Sequence, residues 1–263
     1  MAVCSNEWEE HLNHLVKYLE TIKKSGLTLN LLKCTFAQSK ITFVGHVVGS
    51  GTKAVDPKKV ACLSKIAIPT TKKDVRKLVG FFSYFRSFIP NLAEITCVLT
   101  DLTKKDAPNR VQWKPEHQIA LESLKQSLIQ AVELHSIDFS KDFGILVDAS
   151  QHAIGCCLIQ WSDTGEELPI AFASVKLQPN QTRWSTVERE AYAVIWALKK
   201  FRPWIFWSKV TVFSDHNPLT YLTEAAPKSS KLARWSLALQ EFNLTFKYRK
   251  AGHNVAADFL SRL

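Results

Sequence analysis

The stretch Phe143-Gly-Ile-Leu-Val-Asp-Ala-Ser150 decides how the second half of this 263-residue chain is organised. Residues 144–147 form a short apolar run that predicts a buried strand, and the carboxylate of Asp148 ends it. A single Asp after an apolar strand commonly caps the next turn, and that interpretation applies here too. Three further carboxylates follow at the edges of elements that can pack beside this strand, so a shared metal site is the competing interpretation.

The sequence after Phe143 predicts a sheet flanked by helices. Three apolar runs separated by short turns predict an antiparallel meander, and a fourth run predicts another buried strand. Between them, apolar side chains recur at helical spacing in a long segment. The predicted elements, in order, are strands at 143–147, 154–161 and 168–175, a helix at 186–201, a strand at 210–213, helices at 218–222 and 231–242, a strand at 244–248 and a helix from Val255.

Acidic residues stand at the edges of three of these elements. Asp148 ends the first strand, Asp215 follows the strand at 210–213, and Asp258 lies near the start of the last helix. If the two strands are neighbours in one sheet, Asp148 and Asp215 emerge at the same edge. The sequence alone leaves that pairing open.

A fourth carboxylate comes from the long helix. Glu188 and Glu190 both lie in its first turn, about 200° apart around the helix axis, so only one of them faces the sheet. Glu190 shares its side of the helix with Val194 and Leu198. We therefore assign Glu190, rather than Glu188, to the predicted site.

Carboxylates brought this close together repel one another unless cations neutralise them. Hard oxygen ligands suit Mg²⁺ or Mn²⁺ better than zinc. Two such ions about 4 Å apart can activate a water and stabilise the leaving oxygen in phosphodiester cleavage. The spacing is compatible with a metal-dependent phosphoryl-transfer enzyme, but acidic residues are common at strand ends, and both interpretations stay open at this point.

The first half of the chain predicts helices around one hairpin. Apolar positions at helical spacing predict a helix at 7–24, and short apolar segments at 27–34 and 41–48 predict a hairpin. Further helix starts are indicated by cap residues and prolines. They lie at Asp56-Pro57, at the capping box Thr71-Lys-Lys-Asp74, at Pro90 and at Trp113-Lys-Pro115. We place a domain boundary between residues 104 and 140.

The positive charge is concentrated in this first half. Residues 1–112 hold 17 Lys and Arg against nine Asp and Glu, within a whole-chain net charge of +10. Four cations crowd the first turns of the helix after Thr71, where they oppose the helix dipole, and phosphate binding is one reason to keep them there. The alternative is a solvated basic face. These residues are Lys72, Lys73, Arg76 and Lys77.

Composition bounds the remaining possibilities. None of the six cysteines forms a C-x-x-C pair, and the adjacent Cys156 and Cys157 point to opposite faces of a strand, so reduced thiols are expected. No apolar run approaches the roughly 18 residues of a membrane span, and no signal peptide is evident at the N-terminus. We expect an intracellular protein, in cytoplasm or nucleus, without a membrane partner; its oligomeric state is not predicted.

Five ordered motifs carry a family resemblance. They are VDAS (147–150), IGCCLIQ (154–160), WSTVEREAYAV (184–194), SDHNPL (214–219) and GHNVAADFLSR (252–262), and this series resembles the ribonuclease H (RNase H) domain of gypsy-type retrotransposon and retroviral reverse transcriptases. Upstream, FVGH (43–46), VDPK (55–58), LVGFFSYFR (78–86) and FI (88–89) resemble the palm end and thumb of the same polyprotein. The match is collinear over nearly the whole chain.

The resemblance implies an α/β, RNase H-like fold, a mixed five-stranded sheet with flanking helices, preceded by a mostly helical thumb and a partial palm hairpin. It divides the chain into a partial palm at 1–50, a thumb-like region at 51–112, a helical linker at 113–140 and an RNase H-like domain at 141–263. The polymerase motif Tyr-x-Asp-Asp is missing from residues 1–25, so no polymerase activity is expected.

Carried over residue by residue, the metal-binding acids of the family fall on Asp148, Glu190, Asp215 and Asp258. The resemblance implies two Mg²⁺ ions, with Mn²⁺ as a substitute, and endonucleolytic cleavage of the RNA strand of RNA–DNA hybrids. His253 is the nearest candidate for the loop histidine of retroviral members, at a position where the gypsy-type pattern more often has Lys; it is an auxiliary candidate.

Two alternatives belong to other functional classes. The first is a non-catalytic nucleic-acid-binding remnant of a retroelement polyprotein, which the missing polymerase motifs favour and the complete acidic set opposes. The second is an integrase or transposase of the same broad fold. A helix-borne Glu190 between Asp148 and Asp215, together with the thumb-like segment upstream, argues against it.

Overall fold

The protein is described by a computed structural model over residues 2–5, 7–215 and 230–249. Its first part contains helix α1 (Trp8–Lys24), which buries none of its described side chains. A four-stranded antiparallel sheet follows, in the order β1-β2-β3-β4. Its strands are β1 (Lys40–Phe43), β2 (His46–Gly49), β3 (Thr52–Val55) and β4 (Leu134–His135).

The hairpin predicted between 27–34 and 41–48 is wrong. Residues Leu31–Lys33 form a short 3-10 helix. The segment predicted as one strand at 41–48 is two strands, because the chain reverses at Val44 and Gly45, which both have positive φ. A β-branched residue rarely adopts that conformation, so Val44 gave no turn signal in the sequence.

Five α-helices lie between β3 and β4 in the sequence. They are α2 (Pro57–Ala61), α3 (Lys72–Tyr84), α4 (Leu92–Ile95), α5 (Cys97–Asp101) and α6 (Pro115–Ile129). The predicted N-caps are confirmed: the carboxylate of Asp56 accepts from the Lys58 N–H at 2.9 Å, and Thr71 Oγ1 accepts from the Asp74 N–H at 3.2 Å. The predicted capping box at Thr71 is only half formed, because the Asp74 carboxylate accepts from the Thr71 hydroxyl at 2.6 Å instead of from its N–H. Satisfying these N-terminal amides fixes where α2 and α3 begin.

The second sheet has five strands and mixed direction, in the order β7-β6-β5-β8-β9. Strands β5, β6 and β7 form the predicted antiparallel meander, whereas β5, β8 and β9 are parallel. They are β5 (Phe143–Ala149), β6 (Ala153–Trp161), β7 (Glu167–Lys176), β8 (Lys209–Ser214) and β9 (Asn243–Tyr248). Helix α7 (Thr186–Ile205) crosses from β7 to β8, and α8 (Ser230–Leu239) precedes β9. The helices predicted at 218–222 and from Val255 lie outside the described residues.

Both faces of the central strands β5 and β6 are buried, each against a different set of helices. Along β5, the side chains of Phe143, Ile145 and Val147 join the core beneath α7, while Leu146 joins the core that contains α3 and α6. Cys156 and Cys157 divide in the same way between the two cores, as predicted, and all six cysteines are free thiols. The fold is thus the predicted mixed α/β architecture.

The segment expected to act as a helical linker is part of the core. Leu121, Leu124 and Leu128 of α6 are fully buried with Phe82 of α3, and β4 adds an edge strand to the first sheet. No helix in the described part of the chain combines the length and apolar character needed to cross a membrane.

Candidate metal centre

Two of the predicted carboxylates end neighbouring strands. Strands β5 and β8 are paired in parallel, and their last paired residues are Leu146 and Phe213. Asp148 and Asp215 each lie two residues beyond that position, so both carboxylates stand at the same edge of the sheet. The strand pairing on which this prediction depended is confirmed.

The two glutamates of α7 have separate environments. Glu188 forms a capping box with Ser185, accepting its N–H at 3.1 Å, and a hydrogen bond from Lys231 at 2.6 Å lowers the pKa of its carboxyl group. Glu190 is only 2% exposed and lies on the buried side of the helix. The inference that Glu190, not Glu188, lies on the buried side of the helix is confirmed.

Glu188 belongs to a contact between α7 and α8 that sequence reasoning missed. Lys231 of α8 pairs with Glu188 and lies over the rings of Trp184 and Trp235, at 4.1 and 5.1 Å from their centroids. Tyr192 packs edge-on against Trp184 at 5.3 Å. A carboxylate and two aromatic faces therefore hold one ammonium group between the helices.

The described residues do not by themselves gather a metal-binding group. Within residues 2–5, 7–215 and 230–249, no three His, Cys, Asp or Glu side chains are arranged to hold an ion. Asp258 and His253 lie outside the described residues.

The chemistry of the donor set nevertheless fits a hard divalent cation. Asp148, Glu190 and Asp215 offer carboxylate oxygens, the ligands that Mg²⁺ and Mn²⁺ prefer. A carboxylate as buried as Glu190 is costly unless hydrogen bonds or opposite charge compensate it.

Asp148 has neighbours on its own face of the sheet that the sequence did not indicate. It pairs across the strands with Gly155 of β6, which pairs in turn with Ser174 of β7. The side chain of Asn91, just before α4, lies against Gly155 and fills the space where a Cβ would stand. The only sequence signal was a glycine inside a strand, which often marks a close approach.

The four cations predicted to bind phosphate are mostly engaged within the protein. Lys72 Nζ donates to the carbonyl oxygens of Lys104 and Lys105 at 2.7 and 3.2 Å, and Arg76 reaches that of Thr103 at 3.4 Å. Lys77 pairs with Asp74 at 3.2 Å, and Lys73 is exposed. These contacts give a structural reason for cations at the start of α3.

Residues 138–242 match the family described as the RNase H-like domain found in reverse transcriptase. This part of the chain is therefore an RNase H-like reverse transcriptase domain, as its sequence motifs and mixed sheet indicated. The fold is also that of solved foamy viral protease-reverse transcriptases. One, in complex with double-stranded DNA, shares 22% identity with a TM-score of 0.78, over 96% of this chain and 53% of that chain. Another, in complex with an RNA/DNA hybrid, shares 23% identity with a TM-score of 0.77, over 94% of this chain and 34% of that chain.

Over its whole length the chain is related to retrotransposon Pol polyproteins. It is 38% identical over 256 residues to the retrovirus-related Pol polyprotein from transposon 412 of Drosophila melanogaster, covering 97% of this chain and 20% of that protein. It is 34% identical to the corresponding protein from transposon 297 of the same organism, covering 100% of this chain and 24% of that protein. The Tf2-3 polyprotein of Schizosaccharomyces pombe is 32% identical, with coverage of 100% and 20%. The chain spans about a fifth to a quarter of the length of these relatives.

Proposed function

We propose that this chain is a ribonuclease H, which cleaves the RNA strand of RNA–DNA hybrids endonucleolytically with two Mg²⁺ ions, or Mn²⁺ in their place. The observation that carries the proposal is the emergence of Asp148 and Asp215 at one sheet edge, on paired parallel strands. The membership of residues 138–242 in the RNase H-like family supports it. So does a protein of the same fold that was solved with an RNA/DNA hybrid.

We assign one role in the reaction to each of the predicted site residues. Asp148 and Asp215 hold cations at the end of β5 and β8, and Glu190 provides a carboxylate that the packing of α7 keeps in place. Asp258 is the fourth ligand and His253 an auxiliary residue. Bound divalent cations supply a nucleophilic water at neutral pH and stabilise the leaving oxygen.

The thumb-like region at 51–112 is the proposed binding surface for the hybrid. Within the proposed division into 1–50, 51–112, 113–140 and 141–263, the thumb-like part carries the cations of α3. Exposed Lys73 is best placed to meet a phosphate, because Lys72, Arg76 and Lys77 also have partners inside the protein. Such contacts contribute affinity for the hybrid without recognising its base sequence.

The free thiols support an intracellular site of action.

A cleavage assay tests the proposal. The wild-type chain is incubated with a hybrid labelled on its RNA strand while Mg²⁺ is titrated, and Asp148→Asn is the matched variant because it keeps the size of the side chain and removes its charge. We expect Mg²⁺-dependent RNA cleavage by the wild type and none by the variant. Absence of Mg²⁺-dependent cleavage, or cleavage that survives the substitution, contradicts the proposal.

The second candidate is a nucleic-acid-binding module without catalysis. It is supported by two proteins of the same fold that were solved with bound nucleic acid, one with an RNA/DNA hybrid and one with double-stranded DNA. Electrostatic binding weakens steeply with salt because phosphate contacts release counterions. Salt-sensitive binding of the hybrid without turnover at any Mg²⁺ concentration is the result that selects this candidate.

A further inference from the structure

A row of three directly paired residues crosses the sheet at Asp148. Asp148 of β5 is opposite Gly155 of β6, and Gly155 is opposite Ser174 of β7. Paired residues point to the same face, with Cβ atoms about 4.5–5.5 Å apart. In this row the residue next to Asp148 has no side chain of its own.

The space beside Gly155, where a side chain would lie, is filled by Asn91, the residue directly before α4. A Cβ built on Gly155 would overlap Asn91 Oδ1, and Asn91 Nδ2 is 3.8 Å from the same point. The amide group of Asn91 thus stands where a cross-strand neighbour of Asp148 would stand. Because that place is about 4.5–5.5 Å from the Cβ of Asp148, the amide lies on the same face of the sheet and close to this residue.

The segment that carries Asn91 is anchored on both sides of this place. The N–H of Ala93 donates to Ser174 Oγ at 2.9 Å, and the N–H of Phe172 donates to the carbonyl oxygen of Ser87 at 3.0 Å. Asn91 itself has a φ of 48°, in the left-handed region where Asn is tolerated better than most residues. These contacts hold the segment that carries Asn91 against β7 on both sides of that residue.

We propose that Asn91 is a positioning residue for the Asp148 carboxylate. The amide orients the carboxylate that is to hold a divalent cation, and Gly155 is present because any side chain there would displace the amide. The nuclease site then includes a residue from outside the RNase H-like domain. This inference rests on the proposed role of Asp148 as a metal ligand.

Asn91→Gly is the primary test, because glycine accepts the φ of 48° and only the amide is lost. Removing such an outer partner of a metal ligand typically costs 10–100-fold in metal affinity or activity. We therefore expect the Mg²⁺ concentration for half-maximal hybrid cleavage to rise about 10-fold or more. The thermal midpoint of unfolding is expected to stay that of the wild type. Ser50→Gly, which relieves a similar φ of 50° in the turn between β2 and β3, is the control and should change neither.

Gly155→Ala provides a second, independent test. Its methyl group should expel the amide of Asn91 and raise the Mg²⁺ requirement to a similar extent. In the double variant with Asn91→Gly, the methyl group has room. If both substitutions act through the same contact, the double variant should be no worse than either single variant.

Direct metal binding separates the failure of this inference from the failure of the proposed function. Free Mn²⁺ is measured by electron paramagnetic resonance in the presence of the intact chain, without nucleic acid. Weaker Mn²⁺ binding by both Asp148→Asn and Asn91→Gly supports the inference even if the wild type cleaves no hybrid. Equal Mn²⁺ affinity and equal Mg²⁺ requirement in Asn91→Gly and wild type overturn it.

Discussion

Glu188 and Glu190 are two residues apart on one helix, but we expect their substitution to have different effects on hybrid cleavage. Glu190→Gln should abolish hybrid cleavage, because the buried side chain loses the charge proposed to hold a cation. Glu188→Gln should leave cleavage at the wild-type rate, because that carboxylate serves the capping box and the pair with Lys231. Initial cleavage rates at saturating Mg²⁺ measure both. Loss of activity in Glu188→Gln alone contradicts the assignment.

The adjacent thiols Cys156 and Cys157 should be inert in the native protein. Burial raises the pKa of both thiols, so neither forms the reactive thiolate at mildly alkaline pH. Titration with a chromogenic disulfide reagent should leave two of the six thiols unreacted until denaturant is added. Exposed Cys4 and Cys62 serve as the internal control for a fast reaction. Rapid reaction of all six thiols in the folded protein would show that the sheet is not closed on both faces.

At the scale of single residues, the sequence predicted only those features that depend on residues close to one another along the chain. The inward direction of Glu190 follows from the period of one helix, and so it was predicted correctly. The contact of Asn91 with Gly155 joins residues 64 positions apart in different elements. No pattern in either stretch specifies that approach, because only the packing of the whole chain brings the two together.

At the scale of elements, the contact between α7 and α8 should depend on pH. The pKa of Glu188 is depressed, first by the hydrogen bond from Lys231, so this pair stabilises the fold above the ordinary glutamate pKa of 4.5. Its contribution is lost as the pH falls through the lower pKa of the folded state. Lys231→Met should therefore destabilise by about 0.5–1 kcal/mol near neutral pH and by less in acid. The part that remains in acid comes from the contacts of Lys231 with Trp184 and Trp235.

Thermal midpoints of the wild type and Lys231→Met, compared from about pH 6 down to about pH 3, check this expectation. The double-mutant cycle with Glu188→Gln isolates the pair from the aromatic contacts. The coupling energy should shrink towards zero in acid. A coupling energy that does not change with pH contradicts the role given to the charge of Glu188.

The elements of the second sheet were predictable because each has its own periodic signal. Strands β5 to β9 and helix α7 were expected within a few residues of their observed bounds, since apolar runs of the right length mark them. The first sheet was not predictable. Its turn depends on a left-handed Val44, and its last strand, Leu134–His135, is two residues long and pairs with Lys53 from a distant part of the chain.

At the scale of the whole molecule, two truncations should differ in their effect on the thermal stability of the protein. Removing residues 1–38 should leave the thermal midpoint unchanged, because α1 buries no described side chain. A chain that starts at residue 138 should be strongly destabilised, because Leu146, Cys157, Ile159 and Phe172 lose the core they share with α3 and α6. Each large apolar side chain exposed in this way costs about 1.5–3 kcal/mol.

Differential scanning calorimetry and binding of a hydrophobic dye to the two truncated chains measure these effects. The shorter chain should show a lower midpoint and increased dye binding. A shorter chain as stable as the full one would mean that the RNase H-like domain is an independent unit.

The division of β5 between two cores also determines where the chain tolerates changes in length. One residue inserted between Phe143 and Val147 would turn every later side chain of the strand to the other face. Val147 would then point towards Asn91, and Asp148 towards the apolar side chains beneath α7. The turn at 162–166, with its exposed Gly165 at a φ of 84°, carries no such alternation. Insertions and deletions among relatives should therefore accumulate in that turn and be excluded from β5.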